Sequence, residues 1–304
     1  MSTSQAFEVN TPYQFILWAE KCFDEADLCF GHGTDNAYDE AAYLVLRALG
    51  LPFEIDDEKL NETLNGEIKD FLVKLVTFRI EQRLPVAYML NEAWFCGLSF
   101  YVDERVLVPR SPIAELIGRR FSPWVVEEKV SRILDIGTGS ACIAIASVLA
   151  FPDAYVDAVD ISSGALAVAA ENAHRHEVSE RLRLLRSDLF ENLQDQTYDI
   201  IIANPPYVSE DEMASLPAEF RHEPEQALEA GEDGLDIVRR LLSESRKYLN
   251  DGGVLIVEVG NAEAALVQAF PQIPFLWLEF EFGGEGVFLL TSEALDKSAK
   301  QKAS

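Results

Sequence analysis

Residues 132–142 read Arg-Ile-Leu-Asp-Ile-Gly-Thr-Gly-Ser-Ala-Cys and lead straight into the apolar stretch Ile143–Ala150. A short apolar run, a Gly-x-Gly turn and a longer apolar run give the signature of a buried strand turning into a helix. The pattern repeats on both sides. Tyr155–Asp160, Arg183–Arg186, Asp199–Ala203 and Val254–Val259 are further short apolar runs, and helical segments are predicted at 141–150, 163–175 and 234–249. Alternating strand and helix predicts an α/β fold with a doubly wound parallel sheet. Two last candidate strands, Leu276–Phe282 and Gly286–Leu290 around Gly283-Gly284, predict an antiparallel edge, and a short helix is expected after Ser292.

Upstream the period changes. Thr11-Pro12 is a helix cap followed by proline at the first helical position, and Phe15, Trp18, Ala19, Cys22 and Phe23 follow at helical spacing. A second helix is predicted from near Asp35 to Gly50, and a third from about Asp57 through Phe78, ending before Pro85. This is a small helical bundle. Its polar, glycine-bearing loop at 30–40 has no obvious packing role. Ala93–Cys96 and Ser99–Val108 around Gly97 read as a hairpin, and Ser111-Pro112 restarts a helix.

The 304 residues carry 52 acidic and 25 basic side chains, a net charge of −27. The excess is spread over both halves, and such a field repels phosphate, so direct nucleic-acid binding is not expected and a basic protein partner is favoured. The start shows neither a cationic region nor an apolar core of a signal peptide, and the longest apolar run is interrupted by Asp135, Gly137 and Gly139. The expected location is the cytoplasm, with no membrane association. Cys22, Cys29, Cys96 and Cys142 form no CxxC pair and have no histidine at zinc spacing, so neither a metal site nor a disulfide framework is expected.

The chemistry is concentrated at the carboxyl ends of the predicted strands. Gly137 and Gly139 permit close approach of a ligand at a helix N-terminus, but the loop is Gly-x-Gly-x-x-Cys and lacks the third glycine of a dinucleotide fingerprint. Asp160 ends the next strand, where a carboxylate meets ribose hydroxyls of either NAD or S-adenosylmethionine. Asp188 ends the strand after that and is suited to accept from an adenine amino group. The decisive element is Asn204-Pro205-Pro206-Tyr207, directly after Tyr-Asp-Ile-Ile-Ile-Ala. Proline keeps Asn204 out of helical geometry and so holds its side chain at a strand end. The Asn204 side-chain oxygen and the Pro205 carbonyl can hold both N–H bonds of a planar amide-like nitrogen, turning its lone pair toward an incoming methyl group. Tyr207 would cover the flat substrate and shield a sulfonium.

These motifs resemble those of the protein N5-glutamine methyltransferases of the HemK/Prm type. The general match lies in Val-Pro-Arg (108–110), Asp-Ile-Gly-Thr-Gly-Ser, Asn-Pro-Pro-Tyr and Glu-Pro-Glu-Gln-Ala-Leu…Gly-Glu-Asp-Gly-Leu-Asp (223–236). Phe-Gly-His-Gly-Thr-Asp-Asn-Ala (30–37), Glu-Ala-Trp-Phe (92–95) and Pro-Arg-Ser-Pro-Ile-Ala-Glu-Leu-Ile (109–117) are similar to the PrmB-like branch, which modifies large-subunit ribosomal protein L-three. The resemblance implies a Rossmann-like seven-stranded methyltransferase domain over 110–304, a helical substrate-recognition domain over 1–87 and a β-hairpin linker over 88–109. It implies transfer of a methyl group from S-adenosylmethionine to a glutamine side-chain amide. Carried over residue by residue, Gly137, Thr138, Gly139, Ser140, Ala141, Asp160, Asp188, Leu189 and Asn204 are the expected cofactor contacts. Asn204, Pro205 and Tyr207 are the expected catalytic residues and, with Pro206, the amide clamp; Arg110, Phe100 and Glu115 are expected near the site's mouth. Ala141 departs from the family, which usually has glycine there.

Residues 204–236 hold ten acids and one arginine, a run that is either a solvated face or a surface that orients a basic protein substrate. Four other readings share parts of the pattern. An adenine-N6 nucleic-acid methyltransferase uses the same Asn-Pro-Pro-Tyr logic, but the charge opposes it. A release-factor glutamine methyltransferase differs only in substrate. A nicotinamide oxidoreductase lacks its third glycine and a hydride-partner histidine, and a non-catalytic S-adenosylmethionine-binding factor would not need the clamp.

Overall fold

The computed structural model describes residues 9–194 and 196–302. The chain divides into two units, Met1–Ala93 with Pro217–His222, and Trp94–Leu216 with Glu223–Ser304.

The first unit is helical: α1 (Pro12–Glu25), α2 (Ala37–Ala48), α3 (Asp57–Leu60), α4 (Gly66–Gln82) and α5 (Val86–Leu90). Phe15, Phe23, Leu44, Leu72 and Val76 form its core. Side-chain caps set the starts, as Thr11, Asn36 and Asn65 accept from the backbone N–H groups of Gln14, Asp39 and Ile68. Asn36 explains why α2 begins at Ala37 rather than near Asp35. The helix expected over 57–78 is two helices, because the Asn65-Gly66 pair caps and starts a new one.

A buried ion cluster lies inside this unit. Arg79, fully buried, donates from Nε to Glu40 Oε1 at 2.7 Å and lies 3.6 Å from Glu219 Oε1. Glu219 also accepts from Arg83 Nη1 and from the backbone N–H of Cys29, both at 3.1 Å. Residues 217–222 belong to the helical unit because Glu219 is anchored there.

The second unit opens with a hairpin, β1 (Ala93–Phe95) and β2 (Leu98–Phe100), followed by α6 (Ile113–Gly118). The remaining strands are β3 (Arg132–Ile136), β4 (Tyr155–Asp160), β5 (Leu182–Arg186), β6 (Tyr198–Ala203), β7 (Leu249–Glu258), β8 (Leu276–Trp277) and β9 (Val287–Thr291). Among the described residues these seven form one sheet in the order β5-β4-β3-β6-β7-β9-β8. Strands β5 to β7 pair in parallel, while β9 runs antiparallel to β7 and β8. The helices are α7 (Cys142–Ala150), α8 (Ser163–Arg175), α9 (Glu210–Ser215), α10 (Asp236–Glu244), α11 (Glu263–Ala269) and α12 (Ser292–Lys302).

Side chains alternate across the sheet as strand geometry requires. Ile133, Ile200, Ile202 and Ile256 enter one core layer, and Leu134, Ile201, Leu255 and Val257 enter the other. The central strands are apolar on both faces, which is why they read as near-continuous hydrophobic runs. This is the predicted doubly wound sheet with its antiparallel edge. The edge is shorter than the sequence suggests: β8 ends at Trp277, and the backbone N–H groups of Glu281 and Phe282 donate to the Glu115 carboxylate rather than to a neighbouring strand. β7 starts earlier than expected, at Leu249, and its pairing with β6 is irregular between Tyr198 and Ile200. α9 and α11 carry no strong sequence signal. No helix among the described residues is long and apolar enough to cross a membrane.

The ion cluster gives a test of the helical unit. Removing one member of a buried pair leaves the other charge uncompensated and costs about 3–5 kcal/mol. Arg79→Ala, which takes the cationic partner from Glu40 and leaves Glu219 to Arg83 and the Cys29 N–H, is expected to lower unfolding free energy by that order in a urea titration of the full chain. A loss below about 1 kcal/mol, the size of an exposed pair, would show that the cluster does not hold the bundle.

Candidate active site

The carboxyl ends of β3, β4, β5 and β6 open onto a cavity of about 720 Å³, large enough for a nucleotide-sized ligand. Its floor is the loop after β3. Gly137 and Gly139 have φ of +73° and +55°, the left-handed region that favours glycine. Backbone N–H groups of Gly137 and Thr138 donate to the Val159 carbonyl, so the loop is tied across to β4. Ala141 also has positive φ, +64°, where a methyl group carries a modest strain. That methyl is fully buried in the core behind the loop and does not line the cavity. The alanine therefore does not narrow the cavity.

Asp160 ends β4 as expected. Its Oδ2 accepts from the Gly139 N–H at 2.9 Å and its Oδ1 from the Ser162 N–H at 2.8 Å, which locks the carboxylate to both the glycine loop and the start of α8. Burial raises its pKa, with those backbone donors opposing the shift. Asp188, just beyond β5, lines the cavity and accepts from Arg240 Nη1 at 2.8 Å. Leu189, Ile161 and Ile237 supply apolar walls.

Asn204, the first residue after β6, lines the same cavity with Pro205 and Pro206. A Cβ built on Gly137 would lie 3.7 Å from the Asn204 carbonyl oxygen, so the glycine loop and the Asn-Pro-Pro segment are immediate neighbours. The segment is braced from the far side. Val208 N–H donates to the Leu228 carbonyl, and Ala230 N–H donates to the Val208 carbonyl, which ties the 223–236 motif to the Asn-Pro-Pro segment. Glu223, buried, holds Arg110 in a two-pronged pair at 2.7 Å on each arm and also accepts from the Val108 N–H.

Besides Ala141, three residues placed near the site by sequence do not line the cavity. Phe100 is a core side chain of the layer beneath β2, 1% exposed, facing the His176 ring. Glu115 pins the 281–282 backbone. The Tyr207 ring lies against Gly260, where a Cβ would come within 2.6 Å of a ring carbon, and its hydroxyl donates to Glu258 at 3.4 Å. Arg105, Ile161, Ile237 and Arg240 line the cavity without having been singled out by sequence. Glu258, an acid inside the apolar run Val254–Val259, is a missed residue with a readable signal.

Two of the ten acids in 204–236 are buried: Glu219 in the helical unit and Glu223 against Arg110. Glu210, Asp211, Glu212, Glu225, Glu229, Glu232, Asp233 and Asp236 remain exposed, and Glu225 and Glu229 line the cavity. Among the described residues no cluster of histidine, cysteine, aspartate and glutamate has the arrangement to hold a metal ion.

The chain is similar to known proteins over nearly its whole length. Residues 123–234 match the family model described as "Methyltransferase small domain". Over 290 residues, 95% of this chain and 92% of the relative, the sequence is 46% identical to the ribosomal protein uL3 glutamine methyltransferase of Francisella tularensis. Over 296 residues, 97% of each chain, it is 45% identical to the protein of the same name from Neisseria meningitidis serogroup B. The chain belongs to the family of ribosomal protein uL3 glutamine methyltransferases.

One buried acid under the cavity has a measurable consequence. Asp135, fully buried at the end of β3, accepts from the Thr138 hydroxyl at 2.6 Å, yet burial and the neighbouring Asp160 push its pKa up to about 7. A carboxyl whose folded pKa exceeds its unfolded value stabilises the fold below the unfolded pKa, and that stabilisation is lost as pH rises toward 7. Asp135→Asn, which keeps an acceptor for Thr138, is therefore expected to raise the melting temperature at pH 8 by at least ~2 °C more than at pH 4.5. An equal change at both pH values would contradict the assignment.

Proposed function

We propose that this chain transfers a methyl group from S-adenosylmethionine to the side-chain amide nitrogen of a glutamine in ribosomal protein uL3. The observation that carries the reading is Asn204, held by Pro205 at the end of a buried central strand and lining a cavity with a glycine loop and Asp160. Membership of the family supports the reaction and the substrate.

The cavity fits the cofactor in size and in donor set. Backbone of Gly137–Ser140, the Asp160 carboxylate for a ribose, Asp188 for an adenine amine, and apolar Leu189 and Ile161 would hold it. When bound, S-adenosylmethionine supplies an electrophilic methyl group on a sulfonium. The protein's part is orientation. An amide nitrogen is a poor nucleophile because its lone pair is delocalised into the carbonyl. Acceptance of both its N–H bonds, by Asn204 Oδ1 and the Pro205 carbonyl, fixes the plane of the group and polarises the nitrogen. The nitrogen gives up one of its two protons to solvent once it carries the methyl group, and because an N-protonated amide is strongly acidic that loss calls for no strong base. The helical segment 1–87 serves in substrate recognition on this reading, and the reaction belongs in the cytoplasm.

The exposed acids beside the cavity favour a lysine- and arginine-rich protein partner and disfavour direct contact with nucleic acid. Raising salt from about 50 to 300 mM is expected to lower kcat/KM on uL3 several-fold while leaving the S-adenosylmethionine Kd nearly constant, because screening acts on exposed charges at a distance. A salt-independent kcat/KM would remove the steering role from Glu225, Glu229 and their neighbours.

The reading itself is tested with labelled S-adenosylmethionine and undermethylated uL3, peptide-chain release factor and DNA in separate reactions, label being located by mass spectrometry. Label on a uL3 glutamine is the expected result; label on the release factor or DNA alone overturns the substrate. Asn204→Ala is expected to bind S-adenosylmethionine within about threefold of wild type and to lose at least ~10²-fold in kcat, the scale for removing an oriented polar contact from a reacting centre. Normal turnover would take the clamp role from Asn204.

A further inference from the structure

We infer that Glu258 is a positioning residue for methyl transfer, holding Tyr207 and through it the Asn204–Tyr207 segment in reacting geometry; this rests on the methyltransferase reading above. Strands β6 and β7 run in parallel with Ala203 and Val257 as their last register pair, so Asn204 and Glu258 are the next residues of adjacent strands. Glu258 is an acid in a place built for an apolar side chain. It is 6% exposed, pairs across β9 with Val287, and follows Val254–Val257 in the core. Burying a carboxylate is unfavourable unless donors satisfy it, and two hydroxyls do. Ser111 donates to Oε2 at 2.5 Å, and Tyr207 donates to Oε1 at 3.4 Å.

The rest of the seat is made by omission of side chains. A Cβ at Gly260 would collide with the Tyr207 ring, and one at Gly286 would come within 2.2 Å of the Gly260 carbonyl oxygen. A Cβ at Gly234 would come within 2.3 Å of the Tyr207 carbonyl oxygen. Tyr207 is thus fixed at ring, hydroxyl and backbone, three residues after Asn204, and Glu258 supplies the polar anchor. The ionisable groups acting on the carboxylate are Arg110, which is paired with Glu223, and Tyr207; the Ser111 hydroxyl donates to it. Burial pushes Glu258 up to about 7, with Ser111, Arg110 and Tyr207 opposing. Ionised, it accepts from both hydroxyls; protonated, it must direct one oxygen's hydrogen elsewhere, and the seat loosens.

The test is full kinetics of Glu258→Gln and Tyr207→Phe, singly and together, on uL3 from pH 6 to 9. Glutamine preserves shape and removes a buried charge, so the variant is expected to melt no lower than wild type at pH 8. Its kcat is expected to fall about tenfold or more, the effect of losing a hydrogen bond to a charged group, with S-adenosylmethionine Kd and uL3 KM within about threefold. Wild-type kcat should decline with one proton below pH ~7, and the variant should lack that inflection. The double variant should be no slower than the slower single one, because both act on one link. Wild-type kcat and pH profile in Glu258→Gln, or additive losses in the double variant, would overturn the positioning role. A wild-type enzyme inactive on uL3 but active on another glutamine protein would overturn the substrate and leave the Glu258 comparison to be read on that protein.

Discussion

A carboxamide set rigidly at the end of a fully buried strand is the constraint on which the site depends. β6 lies between β3 and β7, apolar on both faces, so its direction and height in the sheet are fixed by packing. Pro205 stops the strand and denies Asn204 the helical region, so the side chain cannot be absorbed into a turn. The glycine loop after β3 comes up beside it because Gly137 and Gly139 accept left-handed backbone. A set of contacts on the far side of the Asn-Pro-Pro segment keeps it still.

The means of keeping it still is polar and buried. Glu223 clamps Arg110 and the Val108 N–H, the Val208 backbone bridges to 228–230, and Glu258 meets Ser111 and Tyr207. In the helical unit Glu219 performs the equivalent task for the 217–222 segment, with Arg79, Arg83 and the Cys29 N–H. Such groups contribute little net stability compared with apolar packing, but each has one satisfied arrangement, and breaking it is expensive. A site that must orient a weak nucleophile is suited by that property: rigidity matters more there than overall stability.

Much of this was legible in the chain. Short continuous apolar runs gave the strands, and Gly-x-Gly and Asn-Pro-Pro marked the two loops that meet at the cavity, because glycine widens and proline narrows the allowed backbone in ways that do not depend on context. Thr11 announced the first helix through its cap. The break in the third helix at Asn65-Gly66 was hidden by apolar residues that keep helical spacing across it. The partners of buried acids were not legible. Glu219 and Glu223 stood in an acidic run that reads as a solvated face, and only long-range folding brings them to Arg79, Arg83 and Arg110. Phe100 and Tyr207 are aromatic residues near motifs, and sequence gives no sign of which way each ring turns. Glu258 could have been noticed, since a carboxylate ending an apolar strand needs partners, but Ser111 lies far away in the chain.

The measurement that bears most directly on the central claim is a crystal structure with S-adenosylhomocysteine and a uL3 peptide containing the target glutamine. The expected result places Asn204 Oδ1 and the Pro205 carbonyl oxygen each within ~3.2 Å of the glutamine amide nitrogen, hydrogen-bond distance, with that nitrogen facing the sulfur. A complex in which the Asn204 carboxamide turns away from the glutamine, or in which the amide nitrogen is held by other groups, would contradict it.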